Sequence, residues 1–303
     1  MIPLGTALSA AAGMFLAREF WRARRSHPFP LYGVVGLLSI VAAEILLALE
    51  VRLVAAFFTP INWTGYILAI DGAVYALRGR SLVASDRAAL GWMALLSIPL
   101  WLVFEAYNLR LRNWVYAGLP ENVAVRSFGY AWSFATIWPA ILGTADFLLA
   151  TRFRAAPRRA PDPAAPAAGW LVPAGAVLLI LPAALPPDWG AYLFGMVWLG
   201  FVLLLDPLNY REGRPSILGD LRARDRGRLA ALLVAGIVCG FFWEFWNYRA
   251  AARWLYTFPI LQQAKIFEMP APGYLGFPPF AVEVFVMYVY AAGKLGLPCH
   301  HRR

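Results

Sequence analysis

The apolar residues of the chain fall into eight long runs, and most of the charged residues lie between them. The runs are 31–56, 62–77, 88–107, 127–150, 169–187, 189–206, 228–247 and 277–297. A helix needs about 20 apolar residues to cross the hydrocarbon of a membrane, and lipid offers no partner to an open backbone. The pattern therefore predicts an all-α, polytopic bundle of eight transmembrane helices. Residues 2–20 are either a ninth span or a helix that lies at the membrane interface.

The composition supports a membrane protein. The chain is 61% hydrophobic and 15% charged, whereas a soluble domain is typically about 45–50% apolar and about 25% charged. A net charge of +10 raises the question of nucleic-acid binding. The basic residues, however, form short clusters between apolar runs, which is the arrangement that orients membrane proteins. We therefore expect membrane lipids as partners and no nucleic acid.

The chain divides into two halves. A Pro- and Ala-rich stretch, 155–168, predicts a linker between a first four-helix unit, 31–154, and a second, 169–303, which ends in a basic tail. Residues 1–30 form a separate N-terminal segment. Four spans return the chain to the same side of the membrane, so the halves are expected to be parallel repeats. The larger arginine clusters then share one side, which predicts a cytoplasmic linker and C-terminus. We expect the protein in the inner membrane of a bacterium.

Both halves carry the same series of polar and aromatic residues at nearly the same intervals. Charged side chains are costly in hydrocarbon and are seldom kept there without a partner or a use. In each copy the Glu and the Asn are three residues apart and share a helix face. The first copy contains Trp63, Asp71, Glu105, Asn108, Trp114 and Tyr116, and the second contains Trp198, Asp206, Glu244, Asn247, Trp254 and Tyr256.

These clusters have two interpretations. Trp and Tyr favour the membrane interface, where they form an aromatic belt with polar neighbours. Alternatively, the clusters line a buried site, although a duplicated scaffold also copies structural hydrogen bonds. For a buried site we predict a substrate-binding set of Asn108, Asn247, Trp114, Tyr116, Trp243, Trp246, Trp254, Tyr256 and Phe280.

Glu283 is the most distinctive single carboxyl of the chain. It lies about one turn inside a span that is expected to begin at Pro279 and its neighbour. It must have a partner elsewhere or be protonated, and burial is one way in which proteins make a general acid. The alternative is an ion pair with Arg249 or Arg253. The first half has Ile137 at the corresponding position, so the acid would come from the second half.

Two further features concern the ends of the spans. Asp71 and Asp206 lie nearer the predicted cytoplasmic side and are followed by Arg80 and Arg214, which favours a structural ion pair or a helix-end role. The loop 257–276 is either a lid over the outer mouth of a cavity or an interfacial segment.

Known soluble-enzyme motifs do not occur in the chain. It has no phosphate-binding glycine loop, no paired-His zinc motif and no nucleophile elbow. The three histidines lie outside the apolar runs, so we predict neither a metal nor a cofactor, and we expect Cys239 and Cys299 to be free thiols. Carboxylates, amides and aromatic rings remain, a set suited to acid chemistry on a lipid, with aromatic faces to stabilise positive charge.

The segment from Trp243-Glu244 to Trp254-Leu255-Tyr256, followed by Pro279 to Glu283, resembles the lycopene cyclase domain of bacteria, archaea and fungi. That family has Trp-Asp, then Trp-x-Tyr, then a Pro-x-Glu-Glu motif that opens the next span. Here Glu replaces the Asp, a single Glu replaces the pair, and the first half keeps only Glu105 and the Trp-x-Tyr. The resemblance implies two tandem domains.

The resemblance also implies cofactor-independent cyclisation or isomerisation of a polyisoprenoid lipid by protonation of a double bond. Glu283 would be the acid, with Glu244 and Glu105 assisting. It does not imply lycopene as the substrate. The alternative is a non-enzymatic protein for lipid binding, transport or scaffolding, in which the acidic residues are structural. Another lipid-modifying enzyme is a third possibility.

Overall fold

The computed structural model describes residues 1–153 and 169–298, and these residues are mainly helical. The helices are α1 (Ile2–Arg22), α2 (Leu31–Ala48), α3 (Arg52–Arg78), α4 (Leu82–Ser85), α5 (Arg87–Leu111), α6 (Val123–Thr151), α7 (Leu171–Ala184), α8 (Pro187–Gly190), α9 (Phe194–Arg211), α10 (Ile217–Arg222), α11 (Gly227–Arg249) and α12 (Phe277–Lys294). The strands are β1 (Trp114–Ala117), β2 (Arg253–Tyr256), β3 (Lys265–Ile266) and β4 (Met269–Pro270). The predicted linker 155–168 and the end of the basic tail, 299–303 with Cys299, lie outside the described residues.

Among the described residues, seven helical segments are long and apolar enough to cross a membrane. They are α2, α3, α5, α6, α8 continued into α9, α11, and α12 with the turn before it. This confirms an integral membrane helical bundle. Helix α7 has 14 residues and is therefore about 21 Å long, short of the ~30 Å of hydrocarbon. It ends early because Leu185 is extended and two prolines follow.

The predicted boundary between the first two apolar runs is wrong. Helix α2 ends at Ala48 and α3 begins at Arg52, so the break falls at 49–51 and not at 57–61. Glu50 lies in this turn with φ 57°. Residues 57–61, which were predicted to separate the two helices, are instead a kinked part of α3. The kink is at Phe57 (φ −111°, ψ 19°), three residues before Pro60. A proline inside a helix removes a backbone hydrogen bond and clashes with the preceding turn, which bends the helix without ending it.

Helix α1 lies along the bundle from one end to the other. The amino group of Met1 donates a hydrogen bond to the Lys265 carbonyl oxygen, 3.2 Å away. At the opposite end of α1, Glu19 pairs with Arg152 at 3.4 Å. These contacts hold both ends of α1 against the bundle, although α1 is not among the segments that are long and apolar enough to cross a membrane.

Helices α6 and α12 form the centre of the bundle. Trp138 of α6 is fully buried, and its Nε1 donates to the Val284 carbonyl oxygen of α12 at 2.8 Å. On the other side of α12, Asn209 Nδ2 donates to the Val286 carbonyl oxygen at 3.0 Å. Cys239 is free and buried, as predicted. Helix α2 instead carries exposed apolar side chains such as Leu38, which suit contact with lipid.

Candidate functional site

The two Trp-x-Tyr segments are strands that pair with each other. Strands β1 and β2 are antiparallel, with Trp114 opposite Tyr256 and Tyr116 opposite Trp254. Side chains two residues apart on a strand point to the same face, so the four rings share one face of this ribbon, and all four line one cavity. Val115, on the other face, is 47% exposed. The spacing of the motif therefore directs both aromatic side chains of each strand toward the cavity.

An asparagine amide fixes each strand to the preceding helix. Asn108 Nδ2 donates to the Trp114 carbonyl oxygen at 2.9 Å, and its Oδ1 accepts from Trp114 N at 3.0 Å. Asn247 makes the same two bonds to Trp254, both at 2.9 Å. Neither asparagine lines the cavity. Their amide groups hold the backbone of the ribbon, in contrast to the substrate contact that we predicted for them.

Glu105 receives three hydrogen bonds on one oxygen. Its Oε1 accepts from Tyr116 Oη at 2.6 Å, Trp101 Nε1 at 2.9 Å and Trp114 Nε1 at 3.3 Å. Trp101 lies one helical turn before Glu105 on α5, so the two side chains share a helix face. The carboxyl therefore lies behind three aromatic side chains that line the cavity.

Glu244 has a sparser set of partners. It is fully buried, and its Oε1 accepts from Tyr256 Oη at 2.7 Å. The Trp254 Nε1 donates to Tyr256 Oη at 2.9 Å. Within the described part of the chain, Glu244 Oε2 has no hydrogen-bond partner. The two copies of the motif thus share a Glu–Tyr pair but differ in how fully the carboxyl is satisfied.

The phenols of Tyr116 and Tyr256 remain protonated at physiological pH. Burial raises the pKa of both phenols well above its usual value, and the neighbouring Glu105 and Glu244 raise it further. A neutral phenol keeps its O–H group, and each tyrosine donates that hydrogen to the carboxyl behind it.

The cavity beneath the ribbon has a volume of about 320 Å³. This lies at the lower end of the range for small-molecule pockets. Besides the four ribbon rings, its aromatic walls include Trp101, Trp198, Trp243, Tyr130, Phe134 and Phe280. Ring centroids are 5.7 Å apart for Trp101 and Trp243 and 6.0 Å apart for Trp101 and Phe280. Both halves of the chain therefore build the same apolar wall.

Six of the nine predicted substrate-binding residues line this cavity, namely Trp114, Tyr116, Trp243, Trp254, Tyr256 and Phe280. Trp246 does not. It is 4% exposed and packs against Trp63 and Phe242, with ring centroids 4.9 and 5.4 Å away. The prediction missed Trp101, although its position one turn before Glu105 was a usable signal.

Glu283 is fully buried, and both of its carboxyl oxygens lack a hydrogen-bond partner among the described residues. It lies one helical turn beyond Phe280 on α12 and does not line the cavity. None of the three carboxyls expected to converge on one cavity lines it. Glu105 and Glu244 each bond to a tyrosine that does line it, whereas Glu283 has no such link in the described part of the chain.

The alternative ion pair of Glu283 is also wrong. Arg249 Nη2 lies 2.8 Å from Glu44 Oε2, and Arg253 Nε lies 4.0 Å from Glu268 Oε1. These arginines lie at the ribbon end of the bundle, whereas Glu283 is inside it. The pairing of Arg249 also gives Glu44 a structural role.

Asp71 and Asp206 bind the first turns of two short helices. Asp206 Oδ1 and Oδ2 accept from Ile217 N and Leu218 N of α10, both at 2.7 Å. The Asp71 carboxylate accepts from Val83 N of α4 at 3.2 Å, and also from the hydroxyls of Tyr32 and Ser81. Carboxylates suit helix N-termini because the backbone N–H groups there are unpaired and the helix dipole is positive. The helix-end role predicted for these aspartates is therefore what the structure has.

The arginines that follow these aspartates have other surroundings. Arg80 is exposed, and Arg214 pairs with Glu212 and contacts Asn209 Oδ1 at 3.4 Å. The Lys294 Nζ also donates to Glu212 at 2.8 Å. The hydrogen bond from Lys294 and the nearby Arg214 lower the pKa of Glu212. The alternative of direct Asp–Arg pairs is therefore wrong.

The loop 257–276 forms part of the cavity wall. It contains the β3–β4 hairpin, and Phe258, Met269 and Gly273 line the cavity. A Cβ atom at Gly276 would lie 2.0 Å from the ring of Trp198. Only glycine allows this backbone to approach the tryptophan, so the loop closes tightly over the α9 side of the cavity.

No group of three or more His, Cys, Asp or Glu side chains that could hold a metal ion occurs in residues 1–153 and 169–298. The arrangement instead consists of neutral hydrogen-bond donors on an aromatic wall, with carboxyls behind them. Comparison of the chain with protein-family models, with curated proteins and with solved structures finds no match, so these residues themselves carry the functional interpretation.

Proposed function

We propose that the protein binds one end of a polyisoprenoid-type lipid in the aromatic cavity and isomerises it by acid-catalysed ring closure. The observation that carries the proposal is the cavity itself. Its walls are aromatic rings from both halves, and two of them, Tyr116 and Tyr256, hydrogen-bond to buried or half-buried carboxyls. A location in the membrane exposes the protein to apolar lipids.

The proposal includes two parallel repeats. The equivalent polar residues occupy equivalent places: Glu105 and Asn108 at the end of α5, and Glu244 and Asn247 at the end of α11. The ribbon register is reciprocal, because Trp114 faces Tyr256 and Tyr116 faces Trp254. A two-fold axis through the ribbon produces this type of reciprocal contact. The cavity would then lie on the pseudo-two-fold axis, where both halves contribute to it.

The proposed reaction needs no oxidant and no cofactor. An acid adds a proton to a terminal carbon–carbon double bond and leaves a carbocation. A second double bond of the same chain attacks the cation, and a ring closes. Loss of a proton from a neighbouring carbon restores a double bond, so the product is an isomer of the substrate. A ring face stabilises a cation that lies within about 6 Å of the ring centroid. The rings of Trp101 and Trp243 in the cavity wall would stabilise the carbocation in this way.

The hydrogen-bond pattern supports different roles for the two carboxyls. Glu244 keeps one oxygen without a partner, so it is able to hold a proton, and Tyr256 would pass that proton to the cavity by giving up its own. Glu105 already accepts three hydrogen bonds, which suits the group that takes a proton back through Tyr116. This assignment replaces Glu283 as the proposed acid, because Glu283 lies beyond the cavity wall.

The test compares lipid extracts of an isoprenoid-producing host that expresses the wild-type chain or a variant. We expect isomeric, ring-containing products with the wild type and their loss with Glu244→Gln and Tyr256→Phe. Glu283→Gln serves as the matched buried-carboxyl control and should keep the products. Indistinguishable profiles for the wild type and Glu244→Gln would refute the enzymatic proposal.

One observation favours a second candidate, which is lipid binding or transport without chemistry. The carboxyls of Glu105 and Glu244 bond to the protein's own aromatic residues, and neither lines the cavity. In this case mass spectrometry of the purified protein would find the same unmodified lipid with wild type and with Glu244→Gln. Ser133→Phe, which adds a ring to the cavity lining, should displace the lipid in either case.

A further inference from the structure

Two arginines line the mainly apolar cavity. Arg253 lies on β2, opposite Ala117 of β1. Arg126 lies near the start of α6, shortly after Leu119 and Pro120, which also line the cavity. Both arginines are partly buried. They belong to the end of the bundle that has fewer arginines, so the charge bias that orients the protein does not account for them.

Arg126 has no ion-pair partner among residues 1–153 and 169–298. No carboxylate of the described residues lies within 4.0 Å of it, and Arg253 is at that limit from Glu268. The arginine-rich end of the bundle is different. There Arg152 pairs with Glu19 at 3.4 Å and Arg228 pairs with Asp220 at 2.7 Å. A guanidinium at the edge of an apolar cavity favours an anion, because its donors match phosphate and carboxylate oxygens.

Two polar atoms of the cavity lining also lack a partner. Thr59 Oγ1 and Asn113 Oδ1 are buried, and neither atom has a hydrogen-bond partner among the described residues. A buried polar group without a hydrogen bond destabilises the folded state, so a bound molecule or water is expected to satisfy them. Thr59 can donate to an anionic oxygen, and Asn113 can accept from a hydroxyl.

From these observations we infer that the ligand is an amphiphile with an anionic head, either phosphate or carboxylate, which Arg126 and Arg253 bind while the apolar chain occupies the cavity. The inference rests on the lipid binding of the proposed function and specifies the head group. It does not require the ring-closing reaction. The small cavity volume, about 320 Å³, suits a short isoprenoid segment next to the head.

The experiment titrates the purified full chain, in an uncharged detergent, with farnesyl phosphate and with farnesol, which share one chain. The cavity contains several tryptophans, so quenching of their fluorescence reports binding. A hydrogen bond to a charged group contributes about 1.5–3 kcal/mol, and 1.4 kcal/mol is a factor of ten. We therefore expect farnesyl phosphate to bind at least about tenfold more tightly than farnesol.

Variants identify the groups responsible. Arg126→Gln and Arg253→Gln should each weaken the binding of farnesyl phosphate about tenfold and leave the binding of farnesol unchanged. Arg253→Lys should keep only part of the affinity for farnesyl phosphate, because an ammonium group lacks the paired donors of a guanidinium. Arg112→Gln is the matched control, since Arg112 is exposed at the same end and does not line the cavity. It should change neither affinity. Thermal unfolding of each variant shows whether the fold is retained.

Several outcomes would overturn the inference. If the wild type binds farnesyl phosphate and farnesol with equal affinity, the proposed head-group site is refuted, while lipid binding itself is supported. Equal competition by short-chain phosphatidylglycerol means that the arginines bind membrane lipid in general. If neither probe binds, the lipid binding of the proposed function fails as well. A preference for phosphate without any ring-closed product supports the inference and refutes only the chemistry.

Discussion

Replacing Asn247 with alanine should destabilise the protein strongly. The side chain is fully buried, and its amide makes two hydrogen bonds, both 2.9 Å long, to the backbone of Trp254. The substitution leaves the N–H and the C=O of Trp254 without their partner. A buried group that loses its hydrogen bond costs about 1–3 kcal/mol, so we expect a loss of about 2–6 kcal/mol in the free energy of unfolding.

The chain supplies two matched controls for this measurement. Asn108 makes the equivalent bonds to Trp114 but is only partly buried, so water can replace its amide, and Asn108→Ala should cost less. Asn62 is as buried as Asn247, but its amide donates only to the Phe58 carbonyl oxygen of its own helix. Because that oxygen can keep its helical bond, Asn62→Ala should cost least.

The assay is thermal unfolding in a mild detergent, followed by tryptophan fluorescence and by size-exclusion chromatography of the heated samples. The expected order of destabilisation is Asn247→Ala, then Asn108→Ala, then Asn62→Ala. An equal loss at Asn247 and Asn62 would show that burial of the amide, and not its hold on the ribbon, determines the cost. That result would refute the role of the asparagines in fixing the strands.

Other contacts lead to predictions that the same unfolding assay can check. Asp206→Asn should cost about 1.5–3 kcal/mol, because it weakens charge-assisted bonds to the first turn of α10. The Ser216 hydroxyl also accepts from Gly219 N of this helix, and an unchanged Tm would mean that Ser216 caps the helix alone. Glu44→Gln should cost at most about 1 kcal/mol, since its ion pair is partly exposed, and a larger loss would contradict this. The raised pKa values of Tyr116 and Tyr256 make a pH prediction. In the unfolded chain these phenols ionise near pH 10, while in the folded protein they stay neutral. Ionisation therefore favours the unfolded chain, and the free energy of unfolding should fall as the pH rises above about 10. A variant with both Tyr116→Phe and Tyr256→Phe should lose less stability than the wild type over the same pH range. Equal slopes of stability against pH for the two proteins would contradict this prediction.

Several parts of the site follow from local sequence patterns. The interval between Glu105 and Asn108 places both on one face at the end of a helix, and the structure has them there with their counterparts Glu244 and Asn247. The Trp-x-Tyr spacing gives two aromatic rings on one face only if the segment is a strand. Without a strand prediction, the same residues were equally compatible with a belt at the membrane interface.

The error at Glu283 has a physical origin. Sequence reasoning located it correctly inside a span and expected it to have a partner elsewhere or to be protonated. Its direction depends on how α12 is rotated against α5, α6 and α9, which no interval along one helix fixes. In the structure Phe280, one turn away, occupies the cavity wall, and Glu283 lies beyond it.

The sequence by itself determined that the protein is a helical membrane bundle and that both halves carry one polar motif. Hydropathy and helical period are local properties, so they can be read along the chain. Only the tertiary structure decided that the two motif copies pair as one ribbon, that Glu105 and Glu244 lie behind tyrosines, and that the aspartates hold short helices. These contacts join residues that are distant in sequence or depend on the rotation of whole helices, and packing between helices sets them.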